Sequence, residues 1–497
     1  MLPSPLTLRA SGRLRPARPH GARRTVLGLG LAVVVFALGM AAVSLVVLDS
    51  VDLALLNVAG AACLGVLLMV PVLKTDYDVV EPISLVMLAV AVGVTLKPAY
   101  IAFGPPAAVD FLMLWRQEPA FLLNGAVLVL VGLAALSAGY LYALPAPRLW
   151  RTRLFGQDVW SRNRLLLIGL VAIGVAALSM VLYVDKLGIT GVLQDVSRKR
   201  FYQVEGAEFE RGALGYYRWG ASVVGPVFLF ALAWALTRRG RLGWTVVAVI
   251  AVLVAMAVVF PFFNSSRTKV LMILIEALVI WKCVRGRIPR WLVVSMGVGM
   301  LALLLVLTAL RPKTGDLTDV SQVLGVDALL ETTVGGRHFL DLSKTSHIVE
   351  GVPDRIGYQY GVSYVAWVFM PVPRTVWLDK PPLGAGPIIG REIFDMQRAG
   401  VPPGMIAEAY LNFGVLGVVL VPLLIGVGLR WVYETFRPVL SNAAGATVYA
   451  VVLIPVAWTT VTGGFSQMVV ALFVALLPLA VIIVFVQVRK GRRPHAV

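Results

Sequence analysis

"RRGRLGWTVVAVIAVLVAMAVVFPFFNSSRTK", Arg238 to Lys269, carries the pattern that organises the whole chain. A basic knot comes first, then an apolar run from 244 to 262 without a charge, then an Asn-Ser-Ser turn ahead of two more cations. A run of about 17–25 apolar residues crosses a bilayer as a helix, because in hydrocarbon a helix satisfies its own backbone polar groups. Working outward in both directions, such runs recur at about 26–48, 53–73, 79–96, 119–144, 165–184, 219–236, 268–284, 291–310, 415–432, 446–461 and 468–486. The expected fold class is therefore all-α: a polytopic integral membrane protein of about 12 transmembrane helices.

Composition agrees. The 497 residues are 59% hydrophobic and 14% charged, with a mean hydropathy of +0.85, far from soluble practice. A net charge of +18 would suggest nucleic acid in a soluble domain, but here the bases follow topology. "RRGR" (238–241), "RGRIPR" (285–290) and the tail "RKGRR" (489–493) mark the cytoplasmic side. The acidic residues fall mainly on the other side, so no nucleic-acid partner is expected. Six arginines precede residue 25, and Arg23-Arg24 has a twin-arginine look. The apolar run behind them is longer than a signal-peptide core, which makes it a first anchored helix. Cys63 and Cys283 lie in or beside apolar runs and form no disulfide framework.

The expected organisation is a cytoplasmic Arg-rich N-terminus (1–25), helices 1–9 (26–310), a long extracytoplasmic loop (311–414), helices 10–12 (415–486) and a basic cytoplasmic tail (487–497). Both termini are then cytoplasmic, in the cytoplasmic membrane. A loop of this length is functional or disordered, and its aromatic and proline content argues for function. No P-loop, dinucleotide glycine fingerprint or zinc spacing occurs, so neither cofactor nor metal is expected.

Cations on the outer side are disfavoured by the orientation rule and hence informative. They cluster in the 185–218 loop, which includes Arg200, in "NSSRTK" (264–269), and in the long loop, which includes Arg337 and Arg391. Asn264, Ser265 and Ser266 are N-cap residues for a helix opening at Arg267. Arg267 and Lys269 then sit in a first turn that favours anions, which reads as a phosphate site or as two chains snorkelling to the interface. Glu276, two turns deeper on the same face, is a functional intramembrane carboxyl or one end of an interhelical hydrogen bond.

In "PVPRTVWLDKPPLG" (371–384) four prolines stiffen the path and hold Arg374 and Lys380 on a rigid loop, with Arg374 near the membrane surface as part of a site or as a plain headgroup contact. "VSYVAWVFM" (362–370), just before, suits a re-entrant or interfacial element. Glu408 and Asn412 share a face at the start of the tenth span. Glu408 is either a capping carboxylate or, beside Arg374, Lys380 and Arg391, a general base. "DYD" (76–78) looks like a metal-binding pair but falls on the cytoplasmic side. His338 and His347 lack ligand spacing and read as structural.

Taken together, "DVVEPISLVML" (78–88), "SSRTKVLMILI" (265–275), "MPVPRTVWLDKPPLG" (370–384) and "AEAYLNFGVLG" (407–417) resemble the Wzy-type O-antigen and capsular polysaccharide polymerases. The respective likenesses are to that family's Asp-x-x-x-Pro span start, Ser-Arg helix start, Pro-Arg-x-x-Trp-x-x-Lys-Pro element and Glu-x-Tyr-x-x-Phe-Gly segment. The motifs cover about 40 residues. Eleven residues after Arg374 stands Ala385, where some members carry the glycine of an Arg-x10-Gly repeat.

The resemblance implies an enzyme that joins polyprenyl-diphosphate-linked oligosaccharides outside the membrane, with the bilayer around it and a flippase or chain-length regulator as partner. Arg267 and Arg374 match the family's basic positions and Glu408 its acidic one. Glu408, Arg374 and Lys380 are then the expected catalytic residues. Arg267, Lys269, Arg200, Arg337, Arg391 and Asn412 are expected to bind the diphosphate or substrate. Transfer of a finished glycan to a lipid or protein, as in an O-antigen ligase, and a non-enzymatic flippase are the alternatives.

Overall fold

The structure is a computed structural model and describes residues 20–103, 118–147, 160–198, 220–238, 240–263, 267–309, 342–372, 382–395 and 400–488, with single positions 155, 217, 330, 334, 340, 376 and 377. Its long helices are α1 (His20–Val46), α2 (Val51–Leu73), α3 (Pro82–Phe103), α4 (Pro119–Leu141), α5 (Arg162–Arg198), α6 (Val224–Thr237), α7 (Trp244–Phe263), α8 (Arg267–Arg285) and α9 (Arg290–Ala309). Among the described residues three short helices follow: α10 (Leu342–Gly351), α11 (Val362–Val365, continued by a 3-10 turn Ala366–Phe369) and α12 (Gly386–Glu392). The chain closes with α13 (Met405–Phe436), α14 (Ala443–Thr462) and α15 (Phe465–Val486).

Among the described residues nine helices are long and apolar enough to cross a membrane: α1 to α6 and α13 to α15. The protein is thus an all-α, multi-pass membrane protein by helix length and composition. The remaining three expected runs are helices α7, α8 and α9. Of these, α8 carries Lys269, Glu276 and Lys282 within its length.

Burial orders the helices from centre to rim. The share of the spanning window buried by protein runs from 11% in α1 to 83% in α14, so α14 occupies the middle and α1 the outside. In lipid no hydrophobic force drives apolar helices together, so contact depends on close backbone approach. Helices α4 and α13 achieve it with small residues: a Cβ on Gly426 would lie 2.1 Å from the Leu136 carbonyl oxygen. Two π-turns, Ala91–Thr95 in α3 and Ile454–Thr459 in α14, locally widen the helical ladder.

The described helices between α9 and α13 lie at one end of the bundle, the loop end, where the Gly404 amide donates to the Gly463 carbonyl at 2.7 Å. Helix α10 is buried there despite its polar sequence "LSKTSH", and Lys344 is 1% exposed. Ser346 Oγ reaches the Leu122 carbonyl of α4 at 3.5 Å. His347 donates from Nδ1 to the Ser343 carbonyl at 3.0 Å and lies between Phe121 and Phe394. Helix α11 differs from α10: Val362, Val365, Val368 and Met370 are exposed, while Tyr364 and Trp367 pack on Phe465 and Phe473 of α15. It is an amphipathic surface element, whereas α10 is buried.

Candidate functional site

The site begins with a break in a helix. Gly414, inside α13, has φ 62° and ψ −149°, a region open essentially to glycine. The turns before it, Met405 to Phe413, therefore end with carbonyls that have no intrahelical amide. Loop amides replace them: Gln359 donates to the Leu411 carbonyl at 3.0 Å and Tyr360 to that of Asn412 at 3.2 Å. The Gly361 amide donates to Asn412 Oδ1 at 2.8 Å. The break thus docks residues 359–361, and with them α11.

Ser363 on α11 is the hub. Its hydroxyl donates to Glu408 Oε1 at 2.9 Å and accepts from Asn412 Nδ2 at 2.8 Å. Ser466 Oγ on α15 donates to the Ser363 carbonyl at 2.5 Å and accepts from the Trp367 amide at 3.3 Å. Glu408 Oε2 accepts from the Phe465 amide, at the start of α15, at 2.8 Å. Glu408 is 2% exposed and Asn412 fully buried. A buried carboxylate is tolerable only with such donors. The knot joins α11, α13 and α15.

The structure brings Glu408 and Asn412 together, one turn apart, with Asn412 Nδ2 donating to the Glu408 carbonyl at 2.7 Å. Arg391 is exposed and pairs with Glu392 at 2.7 Å. Arg374, Lys380, Arg200, Arg337 and His338 lie outside the described residues, as do Asn264, Ser265 and Ser266. The backbone of Arg267 is helical. Of the described residues of that stretch, Trp377 packs edge-on to Phe369 at 5.3 Å, and Gly384 lies against Gln467 of α15. Ser363, Ser466 and Lys344 were not singled out by sequence. The signal available for Ser363 was a lone small hydroxyl inside an apolar, aromatic run.

Lys269 and Glu276 line a cavity of about 380 Å³ between α6, α7, α8, α14 and α15. Glu276 has no hydrogen-bond or ion-pair partner among the described residues.

The opposite end carries a clasp built on "DYD". Lys74 pairs with Glu81 and lies 3.9 Å from Asp76 and 3.8 Å from Glu434. Arg437 reaches Asp76 at 2.6 Å, Arg430 reaches Glu434 at 2.8 Å, and Lys282 of α8 lies 3.7 Å from Asp78. Tyr140 of α4 donates to Glu81 Oε2 at 2.7 Å, and Tyr449 of α14 to the Val80 carbonyl at 2.5 Å. Burial lowers Lys74 and raises Glu81, each against the attraction of the other. Burial would also raise Asp76, but Lys74 and Arg437 hold it below the usual carboxylate range. These acids face cations, and among the described residues no group of three His, Cys, Asp or Glu could hold a metal.

No family profile matches the chain, and neither a characterised protein nor a solved structure shows significant similarity to it.

Proposed function

We propose that the protein polymerises polyprenyl-diphosphate-linked oligosaccharides on the outer side of the cytoplasmic membrane, through twelve spans with both termini cytoplasmic and the loop end outside. The observation that supports this reading is the knot of Glu408, Ser363 and Asn412, which ties α11, the element that precedes the cationic sequence 371–384, onto α13 and α15. A loop that only touched headgroups would not need three buried polar side chains to fix it.

In the reaction, a sugar hydroxyl of one lipid-linked unit attacks the anomeric carbon of another. The bond from that carbon to the diphosphate oxygen breaks, and the lipid diphosphate leaves with the electron pair. Preorganised cations stabilise the charge that develops there. Arg374 and Lys380 from the loop, with Arg267 and Lys269 from α8, take this role. Arg200, Arg337 and Arg391 contribute to holding the anionic and sugar groups as they approach. Glu408 fixes the loop in the arrangement described here, and it takes the proton of the attacking hydroxyl when Ser363 moves off Oε1.

Arg374→Ala tests the reading. One lost charge-assisted hydrogen bond is worth about 1.5–3 kcal/mol, so elongation of purified lipid-linked units should fall roughly 10- to 150-fold. Arg374→Lys should recover only part of it, because an ammonium lacks the bidentate fork. Unchanged elongation in the alanine variant would reject the cationic leaving-group site.

A further inference from the structure

The cavity between α6, α7, α8, α14 and α15 is separate from the Glu408 knot, and its wall is apolar almost throughout, with Leu229, Met256, Phe260 and Ile273 among the contributors. Interiors are close-packed, and voids larger than a few waters are uncommon. A space of about 380 Å³ falls within the range of ligand pockets. One side of it is the π-turn of α14, since Ile454, Pro455, Trp458 and Thr459 all line it. Such turns occur frequently at functional sites.

Another side is α15, which is buried by protein over only 22% of its spanning window. Val474 lines the cavity and is itself exposed, beside the exposed Phe473 and Leu477. The cavity therefore lies behind a helix that faces lipid, and its nearest solvent is the bilayer.

Polar groups in the wall are few. Ser222, Lys269 and Trp458 have interactions of their own, whereas Glu276 has none among the described residues. A carboxyl group in apolar surroundings is costly to leave without a hydrogen bond. Pro478 adds an acceptor: it has no amide to give the Val474 carbonyl, and both residues line the cavity. A hydroxyl group answers both needs. It donates to a carboxylate or a carbonyl, and it accepts from a carboxylic acid. An ammonium head would share the wall with Lys269, and an anionic head would stand against Glu276, each a pairing of like charges.

We propose that this cavity binds an uncharged lipophilic alcohol from the bilayer, with its hydroxyl on Glu276 and its hydrocarbon body against the π-turn of α14. Neither the loop cations nor the Glu408 knot takes part, so this site stands apart from the polymerase reading.

Dicyclohexylcarbodiimide enters apolar sites and adds to carboxyl groups, so it reports on Glu276 without any turnover. The protein in phosphatidylcholine vesicles is labelled and the Glu276 peptide quantified by mass spectrometry, with Glu276→Gln as the blank. Decanol, decane, decylamine and decanoate share one chain and differ in the head, and each is added at equal content in the bilayer. Decanol at roughly ten times its Kd should slow labelling about tenfold, and decane at the same content far less. The unfolding temperature gives a second reading. Decanol should raise it in the parent protein, and Glu276→Leu should need about tenfold more decanol for the same rise. Equal protection by decane would leave the hydroxyl no role, and equal or stronger protection by the amine or the carboxylate would give the cavity to a charged ligand. Either result overturns the proposal. So does an unlabelled Glu276 in the ligand-free protein, an absence of protection by decanol, or an unchanged decanol response in Glu276→Leu.

Discussion

Glu408 is held by two donors of unequal mobility. The Ser363 hydroxyl swings on one bond, whereas the Phe465 amide is fixed by its backbone. This difference makes two variants informative together. Glu408→Gln keeps an acceptor for the amide but loses the base, and acid–base loss lowers kcat about 10²- to 10⁴-fold. Ser363→Ala leaves the carboxylate and frees Oε1. If Glu408 acts only by holding the loop, steady-state elongation should show both variants losing kcat alike. If it takes the proton, Ser363→Ala should keep far more activity than Glu408→Gln. Raised acceptor KM at constant kcat in both would leave Glu408 neither role. The helical spacing of Glu408 and Asn412 was legible in sequence, since residues four apart share a face. Their shared partner was not, because Ser363 lies 45 residues before Glu408 and no local pattern records a contact at that range.

The break in α13 shows what sequence periodicity can and cannot register. The apolar run from 415 is the part after Gly414, so the expected loop boundary at 414 falls on the kink. The nine residues before it belong to the same assigned helix but to the loop's chemistry, since their carbonyls receive loop amides. Helix α10 was illegible for another reason: a segment reading "LSKTSHIVEG" has the polarity of a soluble surface, and only its neighbours bury it. Gly414→Ala tests the break. A side chain there costs about 1–3 kcal/mol in backbone strain, and its Cβ would lie 3.3 Å from Tyr358 Oη. Limited proteolysis should therefore cut the 352–361 segment faster than in the parent protein. Gly428→Ala in the same helix, with open space around it, should be neutral or stabilising by up to about 1 kcal/mol. Equal protease sensitivity in the two variants would remove the docking role assigned to the break.

At the scale of the molecule, the apolar runs were legible because the bilayer imposes a length that no other constraint imitates. Reporter fusions at Arg239, Arg287 and Gly351 check the orientation: the first two should read cytoplasm and the third exterior. A cytoplasmic reading at Gly351 would place the loop on the side where nucleotide sugars, rather than lipid-linked donors, are met, and would remove the proposed reaction. The clasp, by contrast, is not legible in "DYD" alone, because its cations come from 74, 282, 430 and 437. Lys74, Lys282, Arg430 and Arg437 there balance Asp76, Asp78, Glu81 and Glu434, and tie the α2–α3 connection to α8 and α13, with Tyr140 and Tyr449 adding α4 and α14. Pinned in this way, the bundle behaves like a fan on its rivet. A helix of about 22 residues is roughly 33 Å long. A tilt of about 5° at the rivet then carries its free tip sideways by about 3 Å. That sweep equals the length of one hydrogen bond, so a rotation of this size about the clasp is enough to part Ser363 from Glu408.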